Sequence, residues 1–187
     1  MWKLPPLINA TDMLVCGEDL GMIPDCVPAV MQQLQILSLE IQRMPKDPKT
    51  EFGNPLAYPY MAVCTTSTHD MPGIRAWWEE DHEKTQRFFN NMLHEWGNAP
   101  YYAEPWVCER IVAMHLNSPA MLTILPLQDW MAIDGKIRRK NPKDEQINNP
   151  SNPHHYWRYR MHIPIEELLS SQEFNEKIKG MITHSGR

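Results

Sequence analysis

Glu18 and Asp70 are the residues best placed to do chemistry. Glu18 stands in GEDLG at 17–21, directly after the apolar run MLVC at 13–16, and Asp70 closes THD at 68–70, after the apolar run MAVC at 61–64. A carboxylate where a buried strand ends in a loop is how an α/β barrel presents catalytic groups. Two carboxylates about a sugar's width apart can share glycoside chemistry. One protonates the leaving oxygen, and the other attacks or stabilises the oxocarbenium-like centre. From residue types alone a second reading stays equally open: each carboxylate caps a following helix or pairs with an arginine. Pro72, just after Asp70, suits a helix start. His69 could donate a hydrogen bond to a sugar hydroxyl.

Other chemistries are poorly served. The histidines form no HxxxH or HxH pair, and His154-His155 lies in a loop without neighbouring carboxylates, so no metal site is expected. No G-x-S-x-G elbow and no glycine-rich phosphate loop occur, and no cofactor is expected. The net charge is −5, and the densest basic cluster, KIRRK at 136–140, reads as a solvated loop, so no nucleic-acid partner is expected. No apolar run reaches the roughly 18–20 residues that span a membrane. The N-terminal MWKLPPLINATD lacks the apolar core of a signal peptide. The four cysteines, Cys16, Cys26, Cys64 and Cys108, form no CxxC pair and read as free thiols of a reducing cytosol. A cytoplasmic protein is expected.

These groups need elements to hold them. Residues 1–12 read as an irregular lead-in and 13–16 as a short strand. A helix is expected from Pro24, with Val27, Val30, Met31 and Leu34 on one stripe. ILSLEI at 36–41 is the next strand, 44–60 a proline-rich loop, and 60–64 a third strand. Helices are expected over 72–80, over 81–96 with Phe88, Phe89, Met92, Leu93 and Trp96 on one side, and over 104–116 with Val107, Ile111 and Met114 inward. MLTIL at 121–125 is a fourth strand ending at PLQD. A polar loop follows, taken as a substrate-side loop over 134–156, and helices close the chain within 164–187. Strands alternating with helices imply a parallel sheet with right-handed crossovers. Four strands bearing polar groups at their C-terminal ends are half of a (β/α)8 barrel, and a whole barrel typically needs about 250 residues. The 187 residues therefore read as part of a larger α/β enzyme, with a small complete open sheet as the competing reading.

With the motifs assembled, the sequence resembles a known family. GEDLG at 17–21 running on to Ile23-Pro24, IQRMP at 41–45, THD at 68–70, RAWWEED at 75–81, PLQD at 126–129 and EQIN-x-P-x-NP-x-HYWRYR at 145–160 resemble the 4-alpha-glucanotransferases of glycoside hydrolase family 77, the amylomaltases. The details look most like the plant cytosolic disproportionating-enzyme branch and its bacterial relatives. The resemblance implies the C-terminal half, strands 5–8, of a (β/α)8 TIM barrel. It also implies transfer of α-1,4-glucan segments between maltose, maltooligosaccharides or glycogen-like glucans and acceptors, with retention. Glu18 falls at the family's acid/base and Asp70 at its transition-state stabiliser. His69 and Asn148 fall at substrate-binding positions, and Trp157 and Arg160 at supports of the Asn148 loop.

Two departures accompany the resemblance. The family's nucleophilic Asp belongs to an Arg-x-Asp-His segment after the fourth strand, and no such segment occurs here. The isolated chain is therefore expected to be inactive, and to need a missing N-terminal half-barrel or to self-associate over its open sheet edges. The family's THDN reads THDM, with Met71. A non-catalytic carbohydrate-binding or interaction module derived from the barrel is the alternative from another class.

Overall fold

The computed structural model describes residues 2–187. The chain divides into two compact units, Met1–Thr65 with Ser118–Ile124, and Thr66–Asn117 with Leu125–Arg187.

The first unit is built on a parallel sheet in the order β1 (Ser38–Ile41), β2 (Ala62–Thr65), β3 (Leu122–Thr123). Ser38 lies opposite Ala62, Ile41 opposite Thr65, and Val63 opposite Leu122. All four residues of β2 are buried. A parallel strand covered on both faces reads as such a continuous apolar run. Around it, Tyr58, Ala62, Cys64 and Ala120 form a small core. The Cys64 thiol lies 3.1 Å from Ser118 Oγ and 3.2 Å from Thr123 Oγ1.

The strand expected at 13–16 is reduced to one parallel bridge, Cys16 to Leu37. Leu37 N–H donates to Val15 O at 2.9 Å and Gly17 N–H to Leu37 O at 2.8 Å. The next inward N–H of that edge, on Leu39, donates to the Asp19 carboxylate at 2.8 Å. A side chain thus takes the place of the next strand carbonyl, and the ladder stops. Met13 and Leu14 are exposed. Gly17 packs closely on helix α2 (Val27–Gln33): a Cβ there would sit 3.0 Å from Met31 Cε, which would have to give by a few tenths of an ångström. The fourth expected strand shortens to the two residues of β3, with Ile124 exposed. Pro126, which has no N–H for a ladder, then opens a helix. The lead-in is not wholly irregular, because Leu4–Ile8 forms a short helix, α1.

The second unit is helical. Helix α3 (Ile74–Trp78) buries Ile74, Arg75, Trp77 and Trp78. Helix α4 (His82–Asn91) starts where Asp81 accepts a hydrogen bond from Lys84 N–H at 3.0 Å. Trp77, Trp78 and Phe88 meet edge to face, with ring centroids 5.1 Å apart for Trp77–Phe88 and 6.3 Å for Trp78–Phe88. Helix α5 (Pro105–Leu116) buries Val107 and Ile111 as its stripe requires, while Met114 is only half-buried. Helices α6 (Leu127–Met131), α7 (Ile165–Ser170) and α8 (Gln172–His184) complete the unit.

Helix α4 ends five residues short of the expected 96, so Trp96 leaves the shared side of the helix and is 91% exposed. His94 and Gly97 adopt left-handed φ of 55° and 90°. Polar side chains hold the turn: Asn90 Nδ2 donates to Glu95 O, Gln86 Nε2 donates to Gly97 O, and Gln86 Oε1 accepts from Ala99 N–H. The basic cluster at 136–140 is not simply solvated. Arg138 Nη1 donates to Ala103 O at 2.6 Å, and Arg139 Nη2 to Arg160 O at 2.8 Å. Both guanidinium groups tie the polar loop down through backbone carbonyls.

Candidate functional site

In the second unit, the segment from Thr66 to Ile74 curls around one carboxylate. Asp129, on α6, is 1% exposed. Its Oδ2 accepts from Thr66 Oγ1 and Ser67 Oγ, both at 2.6 Å, and its Oδ1 accepts from Ile74 N–H at 2.8 Å. A buried carboxylate needs such donors to offset its lost hydration. Gly73 lies against it, and a Cβ at that position would come within 2.9 Å of Asp129 Oδ1.

Between these anchor points sit His69 and Asp70. Asp70 is half-exposed and does not cap α3, whose N-cap is Gly73. Asn148 Nδ2 donates to Asp70 Oδ1 at 2.6 Å, and His69 Nε2 lies 3.3 Å from Asp70 Oδ2. Asn148 is buried and comes from the polar loop, whose geometry is set locally. Gln146 Nε2 donates to Asn148 O at 2.8 Å, and His155 Nε2 contacts Ile147 O at 2.9 Å. Trp157, expected only to support the loop, lies with its ring 5.4 Å from that of His69, tilted by 57°. The structure therefore gathers three sequence-predicted residues, His69, Asp70 and Asn148, and adds an exposed indole to them.

An ion pair underlies the loop. Arg75 Nη1 donates to Glu145 Oε1 and to Arg139 O, each at 2.6 Å. Arg75 and Glu145 are both buried. Burial pushes the Glu145 carboxyl up to about 7, against the lowering effect of the Arg75 guanidinium. Gln128 Nε2 also reaches Glu145 O, at 3.4 Å.

In the first unit Glu18 is exposed, and its neighbour Asp19 is buried. Asp19 holds the loop: Oδ1 takes Leu39 N–H, and Oδ2 takes Lys46 Nζ at 2.6 Å. Lys46 also meets Glu40 Oε1 at 2.9 Å. Asp19, Glu40, Lys46, Ser38, Met31 and Tyr60 line a cavity of about 510 Å³. Among the described residues no three His, Cys, Asp or Glu side chains gather as a metal site, and no helix is long and apolar enough to cross a membrane.

A sequence profile described as 4-alpha-glucanotransferase matches residues 4–166. The chain belongs to the 4-alpha-glucanotransferase family. It is 46% identical over 184 residues to the 4-alpha-glucanotransferase DPE2 of Oryza sativa subsp. japonica, a match covering 98% of this chain and 20% of that protein. It is 28% identical over 183 residues to the 4-alpha-glucanotransferase of Chlamydia pneumoniae, covering 96% of this chain and 34% of that one. The chain thus spans a fifth to a third of these relatives. Among solved structures, it is similar to the amylomaltase from Streptococcus agalactiae in complex with acarbose. That likeness has a TM-score of 0.72 at 19% identity, over 98% of this chain and 35% of that one. It is also similar to the amylomaltase from Corynebacterium glutamicum, with a TM-score of 0.64 at 16% identity, over 93% and 29%. The fold is thus that of part of an amylomaltase.

Three further side chains hold or flank the candidate residues: Asp129, Asp19 and Trp157. Asp129 closes the PLQD motif that helps carry the resemblance, yet it drew no role from the sequence. The available signal was its place, a carboxylate just past an apolar run, as with Glu18 and Asp70. Asp19 drew no role from the sequence either, although it sits beside Glu18 in GEDLG. The contact between Trp157 and His69 depends on the path of a long loop, which residue types do not specify.

Proposed function

We propose that the chain forms strands five to eight of the catalytic (β/α)8 barrel of a cytoplasmic 4-alpha-glucanotransferase. Its substrates are maltose, maltooligosaccharides or glycogen-like glucans. The observation that carries this reading is the open cluster of Asp70, Asn148 and His69 beside the Trp157 ring. A half-exposed carboxylate, an amide, an imidazole and an exposed indole are suited to sugar hydroxyls and to the apolar face of a glucose ring. Residues 134–156 form the substrate-side loop that brings Asn148 to Asp70.

The reaction is a retaining double displacement. Glu18 gives its proton to the glycosidic oxygen as a carboxylate nucleophile bonds to the anomeric carbon and the C–O bond breaks. Glu18, now a base, then takes the proton of an acceptor sugar hydroxyl, whose oxygen displaces the carboxylate. Asp70 accepts hydrogen bonds from sugar hydroxyls that tighten as the ring flattens toward the oxocarbenium-like state. The nucleophile comes from the preceding part of the barrel. The isolated chain is accordingly inactive, and it associates with that part or with a second copy of itself.

Maltose disproportionation tests this. The purified chain is expected to be silent, and supplying the upstream barrel half is expected to give activity that Glu18→Gln lowers by at least 100-fold. Turnover by the chain alone, or activity indifferent to Glu18→Gln, contradicts the reading. A monodisperse monomer in light scattering contradicts the association.

A further inference from the structure

We infer that the Gln128-Asp129 pair of α6 is the positioning element that sets Asp70 against Asn148. The inference rests on the reading of those two residues as the glucan-contacting pair. Asp129 grips the segment carrying Asp70 on both sides: upstream through the hydroxyls of Thr66 and Ser67, downstream through Ile74 N–H. His69 and Asp70 lie between the two grips. Its neighbour Gln128 reaches Glu145 O, three residues before Asn148. Consecutive side chains on one short helix thus hold the two segments that meet at the 2.6 Å bond between Asp70 and Asn148.

A helix cap would need only the Ile74 bond. The two additional hydroxyl bonds, both at 2.6 Å and both to Oδ2, act on the other end of the segment, where no helix needs capping. Gly73 leaves room for the carboxylate, because any side chain there would press on Asp129 Oδ1. Asp129 touches neither Asp70 nor Asn148 in any of these bonds. It acts through the segment that carries Asp70 and is a positioning residue.

The reporter is the Asn148 side-chain amide, observed by NMR in the 187-residue chain. Bonded to a carboxylate, its proton is shifted downfield and exchanges slowly. Asp129→Asn turns one of the two acceptor oxygens into an amide that can no longer accept. The Asn148 amide is then expected to move toward the position of a solvent-exposed amide and to exchange at least tenfold faster. Thr66→Val should act in the same direction and Thr66→Ser should restore the signal, since it keeps the hydroxyl. If Asp129→Asn does not fold, the Thr66 pair decides. An unchanged Asn148 amide in Thr66→Val and in any folded Asp129→Asn protein, even with a lowered Tm, overturns the inference. Titration with maltoheptaose separates the two levels. A chain that binds no maltoheptaose contradicts the proposed function, while the amide signals still decide the positioning role.

Discussion

Asn148 donates a hydrogen bond through Nδ2 to Asp70 Oδ1 across 2.6 Å, joining positions far apart in the chain. Asn148 is buried and Asp70 is half-exposed, so the amide presents a carboxylate to solvent from a fixed base. A hydrogen bond to a charged group contributes ~1.5–3 kcal/mol when buried. With Asp70 open to water, Asn148→Ala should cost about 1 kcal/mol of stability. On the proposed glucan-contacting role of the pair, it should also weaken maltoheptaose binding by about tenfold, since Asp70 loses its fixed geometry. Asn148→Asp should be worse, because it sets two carboxylates against each other. Urea unfolding with calorimetric titration checks both, and wild-type affinity in Asn148→Asp would contradict the pairing.

The buried pair of Arg75 and Glu145 gives stability a definite pH dependence. Burial raises Glu145 from its ordinary 4.5 to about 7 in the folded chain, outweighing the Arg75 charge. Between those values the folded protein keeps a proton that the unfolded chain has released. The Glu145 contribution is therefore fully present below about 4.5 and is lost as pH rises through about 7, by on the order of 3 kcal/mol. Glu145→Gln removes the titration and should flatten that part of the profile. Chemical unfolding at intervals from pH 4.5 to 8 measures it, and an identical slope in Glu145→Gln would refute the assignment.

Asp19 fixes the backbone that carries Glu18. Its carboxylate accepts Leu39 N–H and meets Lys46, and it is buried. Asp19→Ala leaves the Leu39 N–H without its acceptor and Lys46 with Glu40 alone, at a cost of about 2–4 kcal/mol. Hydrogen exchange at the Leu39 amide should accelerate strongly. An unchanged exchange rate would show that the bond does not hold this edge.

The contrast between Asp19 and β2 shows how far the sequence can be read. Ala62–Thr65 is legible because full burial leaves an unbroken apolar run, and the helix of Val107 and Ile111 because one face repeats at helical spacing. The run at 13–16, MLVC, is at least as apolar as β2, but a side-chain acceptor ends its ladder after one bridge. Nothing in residue type reveals that Asp19 will take a strand's place. Trp96 fails for a similar reason, since Asn90 and Gln86 close the turn before the helix reaches it. In the candidate site, Asp70, His69 and Asn148 were visible through motif resemblance. Asp129 went unassigned because its bonds run to segments more than 50 residues away in sequence.

On the proposed function, the cluster around Asp70 is a glucan-binding site. Titrating maltoheptaose into the 15N-labelled chain tests it most directly. Saturable shifts are expected at His69, Asp70, the Asn148 side-chain amide and the Trp157 indole N–H, and Asp70→Asn should weaken them by about tenfold. Shifts confined to other residues, or none at millimolar maltoheptaose, would contradict glucan binding at this cluster.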